Sequence, residues 1–421
     1  MAEAARRAIT TTKESEMAGS GSRILTSHAG SLPRPQGLIE RNAQRERLDA
    51  SVDGDYEQAL AQSVADVVAR QRDAGIDLVN DGEFGHTMRT DYDFGMWLTY
   101  VFARLGGVEL AEYGMRQATL SHRAPAGEIT LAPFGERRDW TRFSEAYGDP
   151  HAGVALPEGE MFEHTPIIRG PVTYTGQEAL ALDIADMKAA LQAAGLADGF
   201  LNSVGPASCA RLPDEHYDSE EEALYACADA MREEYKAIVD AGLMLQIDDP
   251  VIADNWDQIV PEPSVEAYIR FTRPRIEALN HAIRGLPPER IRFHLCWGSW
   301  HGPHSTDIPM ADIVELLLEV NAGTYSFEAA NARHEHEWTI WSDVKLPDGK
   351  VIMPGVVSHA TNVLEHPELV ALRIERFARA VGAERVIAGT DCGLGGRVHP
   401  QIAWAKLEAL AQGAALASTR L

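Results

Sequence analysis

Four residues in this sequence have side chains that could hold one metal ion: His294 and Cys296 in "RFHLCWG", Glu328 in "YSFEAAN" and Cys392 in "AGTDCGLGG". His294 and Cys296 are two apart, so on a strand they share a face and can point at the same ion. Each of the four sits at or just after the end of a short apolar run, where a β/α barrel displays its catalytic groups. Brought together, they supply two thiolates, an imidazole and a carboxylate, a donor set suited to zinc. Ligands this dispersed favour a catalytic ion, because structural zinc sites gather their ligands in short stretches of chain. Taken alone, the His-x-Cys pair also fits a buried cysteine beside a core histidine.

The elements that must carry these residues are short β-branched or apolar runs alternating with helical patterns from Arg23 onward, the signature of βα units around a parallel sheet. Candidate strands fall at 24–28, 76–80, 165–169, 199–204, 243–248, 291–296, 324–328, 352–358 and 385–390. That is one more than a closed eightfold barrel needs, so one lies outside the ring or is a loop. Helices are punctuated clearly. Ser219 and Glu222 form a capping box ahead of Leu224, Ala228, Met231, Tyr235 and Ile238 on one face, and Gly242 ends the run. Pro309 opens a helix with Ile313, Leu316, Leu317 and Val320 inward, closed by Gly323, and Pro367 and Gly382 bracket another. The expected fold is an α/β (β/α)8 TIM barrel over 23–421. Residues 90–164 break its rhythm and read as a long insertion after the second strand, on the face where such insertions cover a site.

Composition narrows the partners. A formal charge of −25 with no basic run argues against nucleic acid. Four cysteines in 421 residues do not make a disulfide framework, and a reducing cytoplasm suits them better. No apolar run of about 18 residues is present, which argues against a membrane span. Residues 1–22 lack the continuous apolar stretch of a secretory signal and read as a mobile tail.

The ordered motifs "SHAGSLPRP", "NDGEFGHTMRTDY", "GPVTYTG", "LQIDDP", "FHLC", "SFEA", "PGVVSHATN" and "GTDCGLGGR" resemble the zinc-dependent, cobalamin-independent methionine synthases from about Arg23 to the C-terminus. The resemblance is to the C-terminal, zinc-bearing barrel of that family. It implies zinc ligands at His294, Cys296, Glu328 and Cys392, the same four reached from spacing. It also implies a general acid at His359 and a pocket for the amino-acid part of a thiol substrate built from Ser31, Glu83 and Asp248. The implied activity is activation of a small thiol, homocysteine-like, as a thiolate and transfer to it of a methyl group from a donor such as a methylated folate. Histidine suits the acid because its proton is available near pH 7. "IDDP" and "DGE" also read as helix N-caps or rim acceptors.

Two departures from the family pattern concern the carbon donor. "GPVT" is followed by Tyr174 where the family carries a tryptophan that supports the pterin ring. "CWGSWHGPHSTD" adds Trp297, Trp300, His301 and His304 after the first two ligands, to build a different pocket or to stack on a neighbouring loop. His334 and His336 in "ARHEHEW" read as a solvated loop. These departures admit a second enzyme, an epoxide-opening thiol transferase resembling the epoxyalkane:coenzyme M transferases, and a third possibility of another class, a non-catalytic barrel with a structural zinc.

Overall fold

Eight short parallel strands, buried along nearly their whole length, form one sheet in the spatial order Leu25–Thr26, Ile387–Thr390, Val351–Val357, Thr324–Phe327, Ile291–Leu295, Met244–Asp248, Gly199–Val204 and Val79–Asn80. This computed structural model describes residues 23–44, 54–86, 88–89, 100–111, 129–154 and 165–421. The strands are β1 (Leu25–Thr26), β2 (Val79–Asn80), β5 (Gly199–Val204), β6 (Met244–Asp248), β7 (Ile291–Leu295), β8 (Thr324–Phe327), β9 (Val351–Val357) and β10 (Ile387–Thr390). Between β1 and β2 the ring is closed by single contacts. The backbone N–H groups of Asp77 and Leu78 donate to Thr26 O at 3.1 and 3.0 Å, and Ser27 Oγ donates to Leu78 O at 2.9 Å. The result is the expected (β/α)8 barrel.

The ninth candidate strand lies outside the ring. It becomes β4 (Pro166–Tyr174) and pairs antiparallel with β3 (Leu105–Leu110). β3 is not among the strands expected from the sequence, because Gly106 and Gly107 interrupt its alternation. The expected 1–22 tail and parts of the 90–164 stretch (90–99, 112–128 and 155–164) lie outside the described residues.

Helices return the chain between strands as the capping signals predict. In α1 (Glu220–Asp240), Ser219 Oγ accepts from Glu222 N at 3.2 Å, while the Glu222 carboxylate accepts from Asp218 N at 3.1 Å. Its inward residues Leu224, Ala228, Met231, Tyr235 and Ile238 are all buried. Gly242 turns the chain into β6 at φ 87°, a left-handed conformation that costs glycine little. Three later helices, α2 (Met310–Glu319), α3 (Pro367–Val381) and α4 (Pro400–Ser418), complete the wall beside β8 to β10.

Register decides which side chains become neighbours inside the barrel. Asp248, His294 and Ser326 are paired in one layer across β6, β7 and β8. Asn202, Gln246 and Arg292 form the layer beneath, across β5, β6 and β7. The lower layer is polar and mutually bonded. Gln246 Nε2 donates to Asp248 Oδ1 at 2.7 Å, Asn202 Nδ2 donates to Asp248 Oδ2 at 2.9 Å, and Arg292 donates to Gln246 Oε1 and to Ser27 Oγ. A buried polar layer is tolerated only when satisfied in this way.

Candidate active site

Every candidate site residue lies at the C-terminal end of a barrel strand or in the loop that follows it. Asp248 ends β6, Cys296 follows β7, Glu328 follows β8, and His359 and Cys392 lie two residues beyond β9 and β10. Ser31 and Glu83 occupy the loops after β1 and β2. Ser31 O accepts from Leu394 N at 2.8 Å and Gly395 N at 2.9 Å, so the first and last loops are fastened together beside Cys392.

Among the described residues, two groups of three ligand-type side chains have donor atoms within 4.8 Å of one another: His294, Cys296 and Cys392, and Glu328, His359 and Asp391. Three of the four expected ligands are therefore brought together, and Glu328 groups instead with the expected acid and Asp391. Glu328 Oε1 accepts from Trp297 N at 2.8 Å and Oε2 from Asn331 Nδ2 at 2.7 Å, bonds that hold its carboxylate beside the first group.

The donor set fits a metal ion. His294 Nδ1 is 2.8 Å from Ser326 Oγ, whereas its Nε2 is buried with no hydrogen-bond partner. With the Nδ1 proton on Ser326, the Nε2 lone pair is left for an ion, the usual arrangement of a ligating histidine. The sulfurs are poised as a proton-sharing pair. A hydrogen bond from Cys296 holds the Cys392 thiol well below its usual range, and the same bond, with burial, holds Cys296 well above. A divalent cation in that position replaces the shared proton and favours both thiolates.

The acids around this centre are strained by burial. Desolvation lifts Glu83 to about 7 against the nearby Arg34 guanidinium, and lifts Asp248 to about 7 against His294, with Glu83 adding repulsion. Burial likewise lifts Glu328 to about 8, opposed by His334. His359 is pushed down to about 3 by burial, with the Cys392 thiolate acting in the opposite direction. Glu83 has φ 59°, uncommon for a residue with a side chain, and the path of Gly30 (φ 130°) passes so close that a Cβ there would lie 2.1 Å from Glu83 Oε1.

The added aromatic residues line the rim and are already occupied. Trp300 Nε1 donates to Tyr147 OH at 3.0 Å, its ring lies 4.7 Å beneath the Arg137 guanidinium, and His304 stacks on it at 4.3 Å. Arg137, fully buried, is paired with Asp254 and Asp257 of the short helix Val251–Gln258 that follows β6. Of the alternatives for these residues, Trp300 packs on the neighbouring segment that carries Arg137 and Tyr147, whereas His304 stacks within its own loop. Tyr174 is committed elsewhere too, its hydroxyl donating to Glu234 Oε2 at 2.5 Å. His334 departs from the solvated loop expected of it. It is buried, stacks on Trp297 at 4.0 Å and lies 2.8 Å from Glu337 and 3.2 Å from Asp307, while His336 is exposed. Spacing gave no signal for Asp391, Ser326, Asn202 or Gln246, whose partners are 32 or more residues away except for Gln246 on Asp248.

Residues 152–415 match the family described as "Cobalamin-independent synthase, Catalytic domain". The chain belongs to that family. It is 24% identical to the 2-hydroxypropyl-CoM lyase of Xanthobacter autotrophicus, over 94% of this chain and 96% of that protein. It is 23% identical to the methionine synthase of Thermococcus kodakarensis, over 92% and 91%. The solved B12-independent methionine synthase from Shewanella sp. W3-18-1, in complex with selenomethionine, superposes with a TM-score of 0.65 at 20% identity, covering 95% of this chain and 99% of that one. The fold is thus that of a family whose relatives include both a methionine synthase and a CoM lyase.

Proposed function

We propose that this chain is a zinc-dependent alkyltransferase that moves a methyl group onto a small amine-bearing thiol, homocysteine being the best fit. The observation that carries the reading is the convergence of His294, Cys296 and Cys392, whose donor atoms lie within 4.8 Å of one another. Glu328, bonded at both oxygens beside them, completes the donor set. Zinc held there would supply the Lewis acidity that keeps an incoming thiol deprotonated near neutral pH without making it a poor nucleophile.

The remaining roles fall to the protein's own groups. Glu83 is buried and Asp248 partly so, both carboxylates are lifted by desolvation, and a cationic ammonium is the ligand that relieves it. Ser31, with the backbone of its loop, lies alongside to receive the substrate carboxylate. His359 serves as general acid to the leaving group. Burial keeps it neutral, and each negative charge that substrate brings in favours its imidazolium, which couples proton donation to thiol binding. Residues 23–421 act as the catalytic barrel, with the 90–164 excursion as its cover. A reducing cytoplasm suits a site built on free cysteines.

A second reading keeps the thiol activation and changes the electrophile to an epoxide, whose alkoxide His359 would protonate. The hydrogen bond that ties Tyr174 to Glu234 favours it, because the tyrosine is then not available to support a pterin ring. One experiment separates the two. Metal content is measured on protein purified without added zinc, wild type against Cys392→Ser, and both are assayed with methylated folate, other methyl donors and small epoxides against a panel of thiols. Zinc-dependent methyl transfer to homocysteine is expected. A metal-free enzyme of full activity would overturn both readings, and turnover of epoxides alone would leave the second.

A further inference from the structure

The loop that carries His359 is exposed from Ala360 to Leu364, with Val363 72% and Leu364 48% accessible, so apolar packing does not hold it. Polar contacts do, on both sides of His359. On one side Glu365 Oε1 accepts from Ser358 N at 2.8 Å, and Glu365 Oε2 is 2.8 Å from Lys406 Nζ of α4. Lys406 is fully buried, Glu365 nearly so, and Lys406 Nζ also donates to Val363 O at 2.8 Å. On the other side His301 Nε2 donates to His359 O at 3.2 Å. A buried ion pair contributes little net stability, because desolvation cancels most of the attraction. Its placement here has another consequence: the acceptor that fixes the Val357–Ser358 peptide, one residue ahead of His359, is itself held by a cation from the last helix.

We propose that Glu365, held by Lys406, and His301 are positioning residues that clamp the Val357–Ser358 and His359–Ala360 peptides, one on each side of His359, and so aim its imidazole at the leaving group. This rests on the reading of His359 as general acid. A displacement of about 1 Å at such a group can cost on the order of 100-fold in rate.

The test compares two double variants that both remove the buried charges. K406M/E365M leaves Ser358 N without an acceptor, whereas K406M/E365Q keeps one. The acceptor-free variant is expected to lose about 10- to 100-fold in kcat, with KM for the thiol and zinc content unchanged. The acceptor-bearing one is expected to stay within about threefold of wild type. In a His359→Ala background the acceptor-free pair should cost nothing further. Amide exchange across residues 355–362 and the NMR signal of the His359 ring, both independent of turnover, should show loosening in K406M/E365M alone. Should that variant fail to fold, His301→Phe, which buries no charge, is expected to lower kcat without changing KM. Equal behaviour of the two doubles, a matching loss of thiol affinity, or unaltered exchange overturns the clamp. Lack of alkyl transfer by wild-type protein would instead overturn the assigned reaction, and the exchange comparison would still decide the clamp.

Discussion

Replacing Ser326 by alanine isolates the contribution of one hydrogen bond to metal affinity. Ser326 is fully buried on β8, in register with His294, and its Oγ is 2.8 Å from His294 Nδ1. The substitution removes one oxygen and leaves Cβ in place, so little packing is lost. It does leave a buried imidazole N–H without an acceptor, which costs the metal-free fold roughly 1–3 kcal/mol. It also frees the ring to rotate and to take the tautomer that protonates Nε2. Loss of such an outer partner lowers metal affinity about 10- to 100-fold, or roughly 1.4–2.7 kcal/mol of binding. Competition with a chromophoric chelator reads the affinity directly, and urea unfolding of the metal-free protein reads the stability separately. Ser326→Thr, which keeps the hydroxyl, should restore most of the affinity. If Ser326→Ala binds zinc as tightly as wild type, the assignment of His294 as a ligand through Nε2 is wrong.

Three further outcomes follow from the described contacts. Arg137→Met leaves Asp254 and Asp257 buried beside one cation fewer, and should destabilise by about 3–5 kcal/mol, toward the low end because Arg211 also pairs with Asp254; urea unfolding measures it, and a loss under about 1 kcal/mol would count against a structural role for this pair. Burial opposes charge on His304, but Asp307 outweighs it and lifts the imidazole to about 9. Its contribution to stability is therefore complete below the unfolded value near 6.5 and disappears as pH rises through about 9, so His304→Gln should flatten the fall in melting temperature between pH 7 and 10. Gly30→Ala puts a Cβ against Glu83 Oε1 at a φ that side chains avoid, and should weaken thiol binding at least tenfold while metal content holds; calorimetric titration of the thiol decides it.

What the sequence revealed depended on how local each signal was. His294 and Cys296 were visible because a two-residue spacing on an apolar run already implies a shared face, and Cys392 because its run ends at the same level of the barrel. Capping at Ser219 and Glu222 was visible for the same reason. The layer of Asn202, Gln246 and Arg292 was not, since its meaning arises from strand register, which no single segment contains. Glu328 stands out at a strand end, but its grouping with His359 and Asp391, apart from the other three expected ligands, depends on where three strand ends meet. His334 departs from expectation because a run of charged and histidine residues reads as solvated, whereas Trp297 and Asp307 from elsewhere, with Glu337 one turn on, enclose it.

The seam between β1 and β2 bears on how this protein comes into being on the ribosome. The first strand makes its ladder not with its neighbour in sequence but with β10, and Ile24 N donates to Ser418 Oγ, 394 residues later, at 2.9 Å. Until β10 has left the exit tunnel, a nascent chain has no ladder partner for its opening strand beyond the few contacts at 77–78, and the loops bearing Ser31 and Cys392 cannot meet. Pairing across so long a separation is slow. The cysteines at 296 and 392 can therefore come together only after β10 has been made, so the candidate metal centre is assembled late in synthesis.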